Sequence, residues 1–558
     1  MTDGSMPSPM PAVPAVPAVP PGRWRLVGAL AAVVLALASW GSGSRSTLNT
    51  RVVWPGIAWW SETGGSPLLA TVSVLAMAVL VLSWWRLRDA VVPVRWWWVT
   101  AAAWFVPLVA SVPLYSRDLY SYAAQGALWH EGLNPYEHGV RDLESDWKDS
   151  TAPTWLDTPT PYGPVFLLLA RGVAAVSGDR LGVALLLLRL LAVAGVVAIA
   201  WAVADIARRL GVDATRATWL GVACPLVGAH FVSGAHNDAL MVAGLLAGIA
   251  FALRGRFAVA VVIVALAAMV KVTAVIALPF LALLWAHAPR RSGVGGLHPA
   301  RGGSRAPVAA REPFAWEPLT WAAVIGAGLR TLVIAALPMA ALGLLTGLGF
   351  AWTNPGATPG RNEQWTSLPT GLGMAVGAVG HVLGHDEWRD SGIATMRAVG
   401  LLVMVVVLVL VWLTAAKPGA HRDHGGPHDP VLDARLDRLR VVGAVGWAML
   451  TVVALAPAFL GWYYLWVLPV LAASVAAVSG RLQTWLAAVA SVLCFAQLPD
   501  GYSLGLTTTA VGVPVVLVAT VVLARRGVRW GRRADWAHLL DLGRPIVDDR
   551  GIAGGERV

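Results

Sequence analysis

Charge is scarce in this chain. Of its 558 residues, 13% are Asp, Glu, Lys or Arg, against roughly 25% in an ordinary soluble domain. With 57% of the residues hydrophobic, that scarcity excludes a soluble enzyme, a disordered tail protein and a collagen-like fibre. Cysteine is scarcer still. Cys224 and Cys494 both lie in apolar runs, which leaves no disulfide framework and no cysteine-based metal cluster. There is no GxGxxG, no P-loop and no soluble nucleotide-sugar domain. The net charge of +11 does not point to a nucleic-acid partner, because the arginines sit in short loops between apolar segments, where they set topology.

Long apolar runs fill the chain instead, among them LLVMVVVLVLVWL at 401–413. The expected fold class is an all-α polytopic integral membrane protein. About fourteen spanning segments are expected, at 25–41, 67–85, 94–114, 181–205, 217–233, 238–253, 257–270, 273–288, 320–345, 396–414, 441–457, 462–480, 484–499 and 504–524, some of them short for a bilayer of ~30 Å. With the N-terminus in the cytoplasm, cytoplasmic stretches receive 29 of the 42 Lys and Arg residues and outer stretches 8, the bias expected of a multi-pass plasma-membrane protein. Residues 162–177 carry Arg171 near their middle. If they crossed, every later loop would flip, so a re-entrant or interfacial outer helix is expected there. The remaining divisions are a Pro-rich, disordered N-terminus at 1–23, a transmembrane domain at 24–526 and a cytoplasmic tail at 527–558. Cytoplasmic linkers at 289–316 and 415–440 interrupt the domain, with contact to anionic membrane lipids as a secondary role.

The polar residues gather on the outer side. The stretch 115–180 combines an acidic loop with the interfacial helix, and Asp118 opens an amphipathic segment directly after the third span. A carboxylate at headgroup depth suits a general base toward a sugar hydroxyl, while a helix cap or a solvated carboxylate is the plainer reading. In SGAHNDALM, His236, Asn237 and Asp238 form a tight outer turn. Asp238 would cap the next helix, and His236 with Asp238 leaves a divalent metal open without supplying a third ligand. Lys271 stands alone between apolar runs, placed for a lipid phosphate or for snorkelling. An outer loop at 351–395 offers Trp352 and Trp365 as flat faces for a sugar ring and Arg361 as a fork for phosphate.

The motifs SRDLYSYAAQG (116–126), GLNPY (132–136), TPYGPVFLLLAR (160–171), GAHNDALMVAGLLAG (234–248) and KVTAVIALPF (271–280) together resemble the actinobacterial polyprenol-phosphate-mannose-dependent α-(1→6)-mannosyltransferases, the Mpt A/B family. The resemblance runs over about 85–545. It implies a GT-C-type helix bundle, a polyprenyl-phosphate-mannose donor and a mannan acceptor of lipomannan and lipoarabinomannan biosynthesis, with the active site on the outer face. The family's acidic motif falls on Asp118. Its expected role is to take the proton of the acceptor hydroxyl during an inverting transfer. Arg117, Lys271 and Arg361 are the candidates for the donor phosphate, and Tyr120, Tyr162, His236, Asn237 and Asp238 for the sugar pocket. No cofactor is implied beyond the open question of a divalent metal. A GT-C enzyme for another lipid-linked sugar and a lipid-linked-sugar flippase are the competing expectations. A flippase would call for inverted halves and mid-membrane charges.

Overall fold

The computed structural model describes residues 20–44, 67–288, 319–353, 363–417 and 430–501. The linker 289–316, the span expected at 504–524, the C-terminal tail, Arg361 and most of the Pro-rich N-terminus lie outside the described residues. Fifteen α-helices of eight or more residues are found among them: α1 Pro21–Ser42, α2 Pro67–Arg86, α3 Val94–Val109, α4 Asp118–His130, α5 Pro164–Ser177, α6 Leu181–Arg209, α7 Ala214–Gly221, α8 Asp238–Ala252, α9 Phe257–Ala268, α10 Leu278–Ala286, α11 Trp321–Leu345, α12 Leu368–Val382, α13 Trp388–Ala416, α14 Pro430–Leu455 and α15 Gly480–Leu493. No β-strand occurs among the described residues.

Among the described residues six helices are long and apolar enough to cross a membrane, and a seventh span follows if the bent pair 225–252 counts as one. These helices make the protein an all-α polytopic membrane protein, each span satisfying its backbone hydrogen bonds within itself. The six long helices (α1, α2, α6, α11, α13 and α14) fall where uninterrupted apolar runs predict them. Only 11% of the most apolar window of α13 is buried within the protein, and 17% of that of α11. Leu402, Val406, Val409 and Leu413 on α13 and Ile325, Leu329 and Leu332 on α11 are exposed, which suits a lipid-facing surface.

Several expected segments take another form. The spans expected at 217–233 and 238–253 do not meet in an exposed turn. The chain runs through α7, a short turn at Pro225–Val227 and a π-helix at Gly228–Ser233, then bends by 118° into α8. Pro225 deprives one turn of a donor and the π-helix widens the next, so a continuous rod cannot form. The span expected at 462–480 is likewise broken, into a 3₁₀-helix at Gly461–Trp466 and two short helices, Leu468–Ala472 and Val475–Val478. The outer loop expected at 351–395 contains α12 and the first turns of α13, and the linker expected at 415–440 contains the start of α14. Charged residues on one face of a membrane-entering helix read as loop when charge is counted without periodicity.

The two ends of the bundle differ in chemistry. At one end Arg254 and Arg209 reach Asp205 at 2.6 and 2.9 Å, and Arg435 donates to the carbonyl of Leu210 at 2.8 Å. At the other end the chain leaves α1 and α3 and meets the segment after α15. Ser44 N donates to Pro113 O at 2.8 Å, and Tyr115 N to Pro499 O at 3.0 Å. Asp118 opens its helix at this second end. The amphipathic surface helix expected there is a buried one, since every residue of α4 from Leu119 to Trp129 is shielded. Close packing explains the burial: a Cβ on Gly126 would stand 2.3 Å from the carbonyl of Ala170 in α5.

α5 has 14 residues, about 21 Å at 1.5 Å each, which falls short of the hydrocarbon core. Pro164 starts it and Gly178, at φ +52°, ends it. Arg171 lies over the ring of Trp129 at 4.8 Å instead of entering the core. Its first turn is pinned to the segment before Lys271, with Val165 N donating to Met269 O at 3.1 Å. These features predict that α5 does not cross. In a chain carrying single cysteines at position 161 or 180, both should react with an impermeant thiol reagent from the same side, over the silent background of buried Cys224 and Cys494. Labelling from opposite sides would show that α5 spans.

Candidate functional site

The site is assembled around a buried cation that charge counting leaves without a role. Arg189 lies inside the apolar α6, 6% exposed. Its guanidinium donates to the carbonyls of Val109 at 2.7 Å, Ser111 at 2.8 Å and Ser233 at 2.8 Å. These carbonyls end α3 and the π-helix, where unsatisfied backbone acceptors and the negative end of each helix dipole gather. Ser111 and Ser233 bond each other through their hydroxyls at 2.6 Å. Two chain reversals are thereby tied together, one leading to Asp118 and the other to His236. Each passes through a non-glycine residue in the left-handed region, Tyr115 at φ 66° and Ala235 at φ 48°. Such residues persist only where the surroundings over-determine them, and they concentrate at functional sites.

The knot places Asp118 beside His236, with Oδ2 3.5 Å from Nδ1. Trp155 donates its indole N–H to Asp118 Oδ1 at 3.1 Å. His236 is fully buried and stacks on Trp462, with ring centroids 3.9 Å apart. Tyr122 brings its hydroxyl within 3.4 Å of the same Nδ1 and 3.5 Å of Asn237 Oδ1. A proton on His236 Nδ1 faces the carboxylate of Asp118. Burial alone would push the Asp118 carboxyl up. The hydrogen bond and charge of His236, the Trp155 N–H and the Lys271 ammonium outweigh it and hold the carboxyl below the usual carboxylate range.

The second carboxylate has a different environment. Asp238, 0% exposed, accepts from Lys271 Nζ at 2.7 Å and from Trp466 Nε1 at 2.6 Å, both on Oδ1. Oδ2 has no hydrogen-bond partner among the described residues. The ammonium is also walled by aromatic rings, with centroids of Tyr463, Trp466 and Tyr162 at 4.6, 4.9 and 6.0 Å. Asp238 is the first residue of α8, yet its carboxylate is a counterion for Lys271 and not an N-terminal cap. Lys271 therefore stands as half of a neutral pair.

Asp118 opens onto a cleft of about 270 Å³. Arg117, Trp155, Gln364, Trp462, Gln497 and Asp500 are among its lining residues. Arg117 is half-buried and has no carboxylate partner among the described residues. Of the other expected sugar-pocket residues, Tyr162 packs edge-on against Tyr122 and sits beside Lys271, and Asn237 meets Tyr122. Tyr120 points elsewhere: its hydroxyl donates to Ser44 O at 2.9 Å and ties α4 to the end of α1. Trp352 is buried and Trp365 is exposed, and neither lines the cleft, whose aromatic lining residues are Tyr115, Trp155 and Trp462. Among the described residues no group of three or more His, Cys, Asp or Glu could hold a metal ion.

Trp155, Trp462, Trp466, Arg189 and Asp500 take part in the site although linear reading assigns them no place in it. GWYYLW at 461–466 does carry a signal, since four aromatics in six residues exceed what an interfacial belt needs at one depth.

The Asp238–Lys271 pair yields a stability prediction. Removing one partner of a buried pair leaves an uncompensated charge and costs about 3–5 kcal/mol, whereas removing both can be near neutral. Lys271→Met alone should lower the detergent melting temperature strongly, and Lys271→Met with Asp238→Asn should restore most of it. Equal melting of the single variant and the wild type would show that the pair is solvated.

Residues 25–287 match the family described as alpha-(1→6)-mannopyranosyltransferase, N-terminal domain, and residues 430–525 match the MptB C-terminal domain. The chain is 31% identical over 473 residues to alpha-(1→6)-mannopyranosyltransferase A of Mycobacterium tuberculosis, covering 82% of either chain. It is 26% identical over 550 residues to alpha-(1→6)-mannopyranosyltransferase B of Corynebacterium glutamicum, covering 91% of this chain and 83% of that one. No solved structure matches it. By the extent of these matches, the chain belongs to the alpha-(1→6)-mannopyranosyltransferase family.

Proposed function

We propose that this protein transfers mannose from a polyprenyl-phosphate-mannose donor to an α-(1→6)-mannan acceptor at the outer face of the plasma membrane, with inversion at the anomeric carbon. The observation that carries the reading is Asp118, a carboxylate held ionised at the mouth of a cleft and flanked by Arg117, which meets no carboxylate among the described residues. The family relationship supports mannose as the sugar. The charge bias of the loops supports the outer face. The cleft lies at the end of the bundle away from the cluster in which Arg209 and Arg254 meet Asp205 and Arg435 meets the Leu210 carbonyl.

In the proposed step, the oxygen of the acceptor's 6-hydroxyl attacks the mannose anomeric carbon. Its proton passes to Asp118, the bond from the anomeric carbon to the phosphate oxygen breaks, and polyprenyl phosphate leaves with the electron pair. That leaving group is already anionic and needs a cation more than a proton. Arg117, which lines the cleft with Asp118, is the proposed cation, whereas Lys271 is held by Asp238. His236 and Trp155 fix the carboxylate from the protein side.

Asp118→Asn separates a base from a structural carboxylate, since it keeps the shape and removes the basic oxygen. A positioned base contributes about 10²–10⁴ to rate. Expression and melting should stay normal, and mannose transfer to a synthetic α-(1→6)-dimannoside should fall to background. Retention of more than about a tenth of wild-type transfer would place the base elsewhere. Arg117→Ala should lower kcat/KM for the donor roughly tenfold to a hundredfold, the loss of one charge-assisted contact, and unchanged donor kinetics would remove it from the phosphate site.

The pH dependence has a definite sign. A base works when deprotonated, and Asp118 is held below the usual carboxylate range. The acid limb of kcat/KM should therefore lie below the ordinary carboxylate range. His236→Gln removes the largest lowering influence and leaves the burial, so the limb should move to higher pH. An unmoved limb in that variant would show that His236 does not tune Asp118.

A further inference from the structure

A second acidic residue, besides Asp118, lines the cleft, and the proposed chemistry leaves it unused. This is Asp500, which lines the cleft together with Gln364 and Gln497. The segment that bears Asp500 is built into the site. Ser44 Oγ donates to the Asp500 carbonyl at 2.6 Å, and Tyr115 N to Pro499 O at 3.0 Å. Gly501 has φ +91°, and a Cβ there would stand 3.0 Å from Ser44 Oγ and 3.1 Å from the Cα of Ser116. That packing sets the segment against the stretch of chain leading to Asp118. Gln497 Oε1 is buried without a hydrogen-bond partner among the described residues.

An acidic residue and two side-chain amides in a cleft that Trp155 and Trp462 also line suit a neutral, hydroxyl-rich pyranoside. Carboxylates and amide oxygens accept from hydroxyls, amide N–H groups donate to them, and Trp155 and Trp462 offer flat apolar surfaces. The cleft is open, as a long water-soluble polymer requires.

We infer that Asp500, with Gln364 and Gln497, forms the subsite for the acceptor sugar, an uncharged mannoside whose attacking hydroxyl it presents to Asp118. This rests on the proposed transferase reading.

The test uses the full chain in membranes, labelled polyprenyl-phosphate-mannose and a synthetic α-(1→6)-dimannoside. Asp500→Asn should raise the acceptor KM about tenfold, with donor KM and kcat at saturating acceptor within about twofold of wild type. Gln364→Ala, on a separate segment, should raise the acceptor KM in the same sense and serves where Asp500→Asn melts early. An acceptor KM unchanged in both variants, or a rise in donor KM instead, would overturn the subsite while leaving the transferase reading intact. A wild-type chain that transfers no mannose to the dimannoside would overturn both.

Discussion

Everything at the end that bears Asp118 depends on one buried guanidinium. Arg189 has no carboxylate to neutralise it among the hydrogen bonds of its side chain, and its three acceptors are backbone carbonyls at the ends of two helices. Hydrogen bonds to a charged group are worth about 1.5–3 kcal/mol each, and an ion left unpaired in this setting would cost more than any one of them supplies. All three are needed together, so the helix ends cannot drift apart without stranding the charge. The distance between Asp118 and His236 is set by that constraint, and the left-handed residues Tyr115 and Ala235 are held in place by it.

The same end separates two carboxylates by environment. Asp238 lies in an aromatic enclosure with Lys271 as its counterion, while Asp118 keeps one side toward the cleft. Each is the first residue of a helix, α8 or α4, where the dipole suits a negative charge. What distinguishes them is access. The side chain of Asp238 is fully buried, and that of Asp118 is 14% exposed. Of the two, Asp118 is the one that lines the cleft.

Much of the fold is legible in the sequence because lipid imposes a simple rule. Where apolar runs are long and unbroken, as at 401–413, the helix follows. Where Pro225 and a π-helix intervene, hydropathy still scores a span while the backbone bends. At the site, Lys271 stands out as a lone charge between apolar runs, and Asp118 stands out by its position directly after a span. Their partners do not. Trp155 reaches Asp118 across 37 positions, and Trp466 reaches Asp238 across 228, and no local pattern encodes such a pairing. Tyr120 misleads for the opposite reason. It lies two residues from Asp118, and on a helix that separation turns the side chain to another face.

A carboxylate held low in pKa is a weak base, which sits awkwardly with the rule that a catalytic pKa should lie near the working pH. The conflict eases if proton transfer comes late in the proposed step. As the bond to the anomeric carbon forms, the attacking oxygen acquires positive charge and its proton becomes strongly acidic, so even a weak base accepts it. What the site must then supply is a carboxylate that is always ionised and always oriented. His236, Trp155 and the nearby Lys271 supply the ionised state, and the Arg189 knot supplies the orientation. Strength as a base is given up for readiness, an exchange suited to a reaction whose larger demand is the stabilisation of a departing phosphate.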